Sequence, residues 1–212
     1  MVASCTLKAE GKPYPRTCAV CGFGPCQNAA PRRIIGFCGL IGSGKTSAAL
    51  HLVNAHNWRR LRFADPLKAA LRALGCTDTE IDGDRKEVPS GLLCGHTPRH
   101  AMQTLGTEWG RDMIGPDFWE NAWCVALARV PAGISVVVDD VRFPSEARII
   151  RNLSGLLVRV ERPEVTATDH ISEQFTLPVD VVVNNNGSLV ELFTSVDTLL
   201  RTDGPITQQR AS

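Results

Sequence analysis

The chain has 212 residues, 43% of them hydrophobic, and its 23 basic and 22 acidic residues leave a formal net charge of +1. That length suits one domain with at most an appendage, and the balanced charge argues against a dedicated nucleic-acid binder. With no run of about 18 apolar residues, and no apolar signal-peptide core at the N-terminus, neither a membrane span nor secretion is expected.

Residues 1–31 stand apart from the rest of the chain. They hold proline-broken turns and four of the eight cysteines, Cys5, Cys18, Cys21 and Cys26. Cys18-Ala19-Val20-Cys21-Gly22 has the spacing of a zinc knuckle, in which a tight turn aims two thiolates at one ion. Cys26 and Cys5 would complete four ligands for Zn²⁺, but no second Cys-x-x-Cys exists and the Cys5 spacing is irregular. The expectation is therefore a cysteine-rich extension, either disordered or folded as a small zinc knuckle.

Arg33 to Cys38 is a short apolar run that reads as a buried strand. It leads into Gly39-Leu40-Ile41-Gly42-Ser43-Gly44-Lys45-Thr46, which satisfies G-x-x-x-x-G-K-[ST] at every fixed position. Ser47 to Val53 then reads as a helix. In that context the glycines let backbone N–H groups surround phosphate oxygens, and the helix N-terminus adds partial positive charge. Lys45 would reach the outer phosphates of ATP, and the Thr46 hydroxyl would ligate Mg²⁺. A compartment that supplies ATP keeps thiols reduced, so the expected location is cytoplasmic and no disulfide framework is expected.

Trp58 to Ala64 reads as a second strand ending at Asp65, and Pro66 starts a helix that Gly75 closes. Residues 76–97 are polar and turn-rich and read as a mobile surface segment. Pro98 opens a helix to about Ile114, and Asp117 reads as the cap of another, Phe118 to about Ala128. Ile134 to Asp140 is an apolar strand ending in Asp139 and Asp140; at least one is placed to hold Mg²⁺ through water rather than simply to cap the strand, and Asp140 is the one expected to. Arg142 can bind a phosphate bidentately or stabilise developing charge, or it can simply pair with Glu146. A helix over 144–152, strands over 156–160 and 179–183, and a helix over 188–200 capped by Ser188 and Glu191 complete the pattern. The last dozen residues read as a frayed tail.

Alternating strands and helices predict an α/β fold with a five-stranded parallel sheet covered on both faces, a three-layer α/β/α sandwich. Ligands of such sheets gather beyond the carboxyl ends of the strands. Those ends carry the P-loop, Asp65, Asp140 to Arg142, Arg162-Pro163 and Asn184 to Gly187. Arg99, Gln103 and Arg111, with Trp109 and Trp119 nearby, suit a phosphate, a base edge and a stacked ring, or equally a solvated helix face over core tryptophans.

Three stretches together resemble the bacteriophage deoxynucleoside monophosphate kinases, which are P-loop nucleotide kinases with a small lid. They are Arg99-x-x-x-Gln103-x-x-Gly106-Thr107-Glu108-x-x-Arg111-x-x-x-Gly115-x-Asp117-x-Trp119, then Asp140-Val141-Arg142-Phe143-Pro144-x-Glu146, then Asp169-His170-x-Ser172-Glu173. Asn184-x-x-Gly187-Ser188-Leu189-x-Glu191-Leu192 adds a fourth, and Ser145 departs from the Asn expected there. The likeness runs from about Arg33 to Leu200 and leaves out the cysteine-rich leader. It implies a kinase domain over 32–203, a tail over 204–212, and transfer of the ATP γ-phosphoryl group to a deoxynucleoside 5′-monophosphate. By the same resemblance, Asp65, Lys68, Arg99, Gln103, Arg111, Trp119 and Arg142 lie in the monophosphate pocket. Arg162, His170 and Glu173 belong to the lid, and Asn184 and Gly187 sit against the adenine. Lys45, Asp65, Asp140 and Arg142 are the expected catalytic set. The partners implied are ATP and the monophosphate, in a host cytoplasm if the chain is phage-encoded. A homodimer is an expectation with no residue behind it.

Two other readings stay open on the residues. A dephospho-coenzyme A kinase shares the Asn-x-x-Gly-Ser-Leu-x-Glu-Leu ending, although the Gly-Thr-Glu and Asp-Val-Arg-Phe stretches speak against it. A nucleic-acid-associated P-loop ATPase with a zinc module would need a basic groove, which the net charge does not suggest.

Overall fold

The computed structural model describes residues 32–163 and 177–201. Five parallel strands form one sheet: β1 (Ile34–Cys38), β2 (Arg59–Arg60), β3 (Val136–Val138), β4 (Leu156–Glu161) and β5 (Val181–Asn184), in the order β2-β3-β1-β4-β5. β1 is central and buried at every residue, as a strand covered on both faces must be. It pairs with β3 on one side and β4 on the other, with Gly36 opposite both Val138 and Leu157.

Alternation along β1 sorts the core. Ile35 and Phe37 join Ala48, Ala49 and Leu52 of α1 (Lys45–His56) and Leu192, Val196 and Leu199 of α7 (Leu189–Arg201). Ile34 and Cys38 face the other way, toward Trp123 and Leu127 of α5 (Phe118–Ala128) and Ala147 and Ile150 of α6 (Pro144–Asn152). Period-two strands between two apolar helix layers give the expected three-layer sandwich.

The second strand is shorter than its sequence suggests. Only Arg59 and Arg60 pair with β3, and after Leu61, whose N–H still bonds the Val137 carbonyl at 2.9 Å, the chain turns away to begin α2 (Asp65–Ala73). Residues 76–97 also differ from the expected loose segment. They hold α3 (Asp78–Ile81) and a single 3₁₀ turn, Asp84–Glu87. Thr77 accepts the Glu80 N–H, and the Glu80 carboxylate takes the Thr77 N–H at 2.8 Å, a reciprocal capping box. Ile81 is fully buried and packs with Leu71 and Cys76, against Leu67, Ala101, Met102 and Leu105. A third, smaller core therefore lies beside the sandwich.

The helix expected over 98–114 changes pitch within its length. α4 (Pro98–Thr104) is α-helical, and Leu105–Ile114 continues as a π-helix. Such stretches are rare and need a local cause. Here Gly110 leaves room for the Trp119 indole, which donates its Nε1–H to the Gly106 carbonyl at 2.8 Å.

Ile81→Ala should lower unfolding free energy by about 2–4 kcal/mol in urea denaturation, the usual cost of a buried large-to-small change. A change near zero would mean that residues 76–97 are the loose segment their composition suggests.

Candidate active site

The P-loop leaves β1 at the centre of the sheet, where the chain order reverses between β3 and β4. Gly39, Gly42 and Gly44 have φ of 128°, 84° and 108°, so the loop closes through backbone shapes that side chains resist. At Gly44 a Cβ would also strike the Asn185 side-chain amide. Asn185, buried just past β5, donates its Nδ2 to the Ser43 carbonyl at 2.8 Å and ties that strand end to the loop. Asn184 and Gly187, the expected residues of this turn, are exposed on either side of it. Lys45 Nζ lies 2.7 Å from the Gly39 carbonyl oxygen and 2.5 Å from that of Leu40.

The two acids after β3 take opposite directions, as successive residues leaving a strand do. Asp139 accepts the Thr46 hydroxyl at 2.9 Å and a bidentate pair from Arg60, Nε at 2.8 Å and Nη2 at 2.5 Å. It is 4% exposed. Burial pushes its carboxyl up, but the Arg60 guanidinium and the Thr46 hydroxyl outweigh that and hold it below the usual range. Asp140 accepts the backbone N–H groups of Phe63 and Ala64 at 2.9 and 3.0 Å. Burial raises its carboxyl, against those two hydrogen bonds. The structure thus sets Asp139, not the expected Asp140, beside Thr46, and turns Asp140 to the loop that leads into α2. Thr46 and Asp139 offer the hard oxygen donors that suit Mg²⁺.

Beyond that loop lies a group of charges around Asp82. Its carboxylate takes Lys68 at 2.6 Å, Arg72 at 2.7 Å and Arg62 at 3.1 Å, while Asp65 takes the Arg62 N–H and Nε, each at 2.7 Å. Burial works against ionised Asp82, but Lys68 and Arg62 overcome it and hold its carboxyl well below the ordinary range. Lys86 sits close enough to this group that burial, and then Lys68, lower its affinity for a proton. Arg99 bonds Glu87 at 2.8 Å on the exposed side, and Gln103 is exposed on the same helix.

A second charged group lies between α5 and α6. Arg111 stacks over the Phe143 ring at 4.6 Å, reaches Glu120 at 3.3 Å and pairs with Glu146 at 3.9 Å. Glu120 is 1% exposed. Its Oε1 also takes the Ser145 hydroxyl at 2.6 Å, while Oε2 is buried without a hydrogen-bond partner. Ser145, the departure from the expected Asn, therefore serves a buried carboxylate. Glu146 accepts the backbone N–H groups of Arg142 and Phe143 at 2.7 and 3.1 Å, so its tie to residue 142 runs through the backbone. Burial, with Asp140 nearby, pushes the Glu146 carboxyl up to about 8. Trp119 is 7% exposed, and its only polar atom is spent on Gly106, so it braces the π-helix from beneath.

Arg142 and Arg162 are exposed at the carboxyl ends of their strands. His170 and Glu173, and the cysteines Cys5, Cys18, Cys21 and Cys26, lie outside the described residues. Sequence reasoning missed Arg60, Asn185, Glu120 and Asp82. Arg60 had a signal readable only once the register is known: it pairs with Val137, two residues before Asp139 on the neighbouring strand.

Residues 95–196 match the family model for deoxynucleotide monophosphate kinase. A protein of Acanthamoeba polyphaga mimivirus named "Putative deoxynucleotide monophosphate kinase" is 34% identical, over 77% of this chain and 93% of that one. The deoxynucleoside-5′-monophosphate kinase of Escherichia phage T5 is 29% identical over 49% of this chain, and the match spans 42% of the phage protein. The chain belongs to the deoxynucleotide monophosphate kinase family. Among solved structures, the Mycobacterium tuberculosis APS kinase CysC with AMPPNP and APS is 17% identical and covers 82% of this chain at a TM-score of 0.44.

The raised Glu146 carboxyl makes a pH prediction. The native state keeps a proton that the unfolded chain gives up above about 4.5, so stability falls as pH rises from there to about 8 and then levels. Asp140 is also raised and contributes with the same sign. Glu146→Gln should therefore flatten, without abolishing, the decline of unfolding free energy across that window. An unchanged slope in urea titrations would show that Glu146 is ionised in the native protein.

Proposed function

We propose that this chain transfers the γ-phosphoryl group of Mg·ATP to a deoxynucleoside 5′-monophosphate, giving ADP and the deoxynucleoside diphosphate. The observation that carries the proposal is a phosphate-binding loop whose Thr46 meets Asp139 at 2.9 Å, in a chain of this kinase family. The loop's N–H groups and Lys45 hold the triphosphate. Thr46 and Asp139 would hold Mg²⁺, which when bound neutralises charge on the β- and γ-phosphates. Since phosphoryl transfer needs positioning and charge stabilisation more than covalent help, the remaining work falls to cations.

The acceptor half is assigned to the basic side chains beyond β2 and β3. Arg111 and Arg142 approach from the α5–α6 side, and Lys68 and Arg99 from the other, with Asp65 near the sugar. Asp140 fixes the loop that presents Asp65 rather than touching the metal, and Trp119 shapes the pocket from beneath. Asn184 and Gly187 flank the adenine, with Asn185 anchoring their turn. A lid over Arg162, His170 and Glu173 would exclude water, so that the monophosphate rather than water takes the phosphoryl group.

Zinc in the leader rests on the Cys18-x-x-Cys21 spacing, and a zinc content near zero in purified protein ends that reading. Among the described residues no helix is long and apolar enough to cross a membrane. Viral and phage relatives favour a host cytoplasm as the place of action. Sedimentation decides between monomer and homodimer.

Incubation with Mg·ATP and each deoxynucleoside monophosphate in turn should release ADP only when an acceptor is present. Dephospho-coenzyme A and single-stranded DNA should give none. Lys45→Ala should fall by about 10²–10³-fold or more in kcat while unfolding at an unchanged midpoint. ADP release that ignores the monophosphate, or that DNA stimulates, contradicts the proposal.

A further inference from the structure

At the far end of α1 from the P-loop, three side chains converge that the phosphoryl-transfer site does not use. His51 and His56 of α1 each bring Nε2 to 2.7 Å from the same oxygen, Oδ1 of Asp197 on α7. All three ligand atoms lie within 4.8 Å of one another. We infer that His51, His56 and Asp197 form a second metal site, for a borderline divalent ion such as Zn²⁺, that clips the end of the P-loop helix to α7.

Several features favour a ligand set over an ordinary ion pair. A pair needs one imidazole, whereas here two rings aim at one point. Their positions are held: His51 stacks flat on Phe193, ring centres 4.3 Å apart and planes 5° apart, and the rings of His51 and His56 meet edge-on at 5.5 Å. Beneath them Leu52, Leu192 and Val196 pack α1 against α7, so the carboxylate and the imidazoles sit on two helices with little freedom to separate. A tetrahedral Zn²⁺ with bonds of about 2.0–2.1 Å sets ligand atoms roughly 3.3 Å apart, so shifts of under about 1 Å open the cluster around an ion.

The chemistry selects the ion. Two imidazoles and one carboxylate suit Zn²⁺, Ni²⁺ or Co²⁺, while Mg²⁺ prefers oxygen alone. To bind, each ring offers the lone pair of Nε2 and keeps its N–H at Nδ1. Asp197 and His56 side chains are 35% and 33% exposed, which leaves a path for the ion and a place for water as a fourth ligand. His51 and His56 lie five and ten residues beyond Thr46, about 7.5 and 15 Å along the helix axis, so this site is separate from the phosphate loop. Its role is a fastener between two helices.

Zinc titration by calorimetry tests it, on full-length protein stripped with EDTA, desalted and held in excess Mg²⁺. With Cys5, Cys18, Cys21 and Cys26 all changed to Ser, one equivalent of Zn²⁺ should bind. His56→Ala and Asp197→Asn in that background should each weaken binding at least about tenfold. Zinc at about a hundred times its Kd should raise Tm by about 5–10 °C in the parent and not in His56→Ala. In the chain with its cysteines intact, His56→Ala should bind one equivalent fewer. Absence of stoichiometric binding, or equal affinity in His56→Ala, overturns the site.

Discussion

Two adjacent carboxylates at the end of β3 hold this architecture in register with its chemistry. Leaving a strand, consecutive side chains point to opposite sides. Asp139 turns to the Thr46 hydroxyl and the Arg60 guanidinium, and Asp140 turns to the backbone of residues 63 and 64. One contact joins the end of β3 to the P-loop helix. The other fixes where the chain leaves β2 and so where α2, with Asp65 and Lys68, begins. Asp139 is buried and Asp140 half-buried, so each depends on its partners: an unpaired carboxylate there would be costly, and here neither lacks them. The donor half and the acceptor half of the proposed site are thereby set from a single dipeptide.

The proposed acceptor side buries two carboxylates of its own. Glu120 and Glu146 lie inside, bridged by Arg111, and Ser145 and two backbone N–H groups complete most of their hydrogen bonding. Such a network is sensitive to any one member, because low local dielectric strengthens made bonds and penalises missing ones alike. The π-helix above it widens the chain where Gly110 admits Trp119, whose indole N–H bonds the Gly106 carbonyl. A motif of small and aromatic residues thus becomes a rigid shelf for Arg111. In the proposed reaction, that shelf orients one guanidinium while Asp82 gathers Lys68, Arg62 and Arg72 opposite.

Much of the fold was legible because it is periodic or punctuated. β1, the P-loop and α1 announce themselves by apolar run, glycines and helix formers, and Pro98 and Pro144 open helices as their geometry requires. Where the sequence misled, the deciding contact was distant. The Thr77 to Glu80 capping box was present in residues 76–97 but hidden by surrounding polarity, and Ile81 was a lone apolar residue whose core partners lie on three other elements. The choice between Asp139 and Asp140 depends on strand phase, and two neighbouring acids look alike until the register is known. Arg60 and Asn185 act only across strands, and Trp119 has the composition of a stacking ring but is buried under Gly110. His51, His56 and Asp197 are a helix and most of the chain apart, so no local pattern could have joined them.

The division of labour between the two acids is tested most directly by metal affinity. Mn²⁺ binding to the ATP-loaded enzyme, followed by electron paramagnetic resonance, should weaken by about tenfold or more in Asp139→Asn. Asp140→Asn should bind Mn²⁺ as the parent does while melting at a lower temperature. The reverse, with Mn²⁺ lost in Asp140→Asn and kept in Asp139→Asn, would contradict the account.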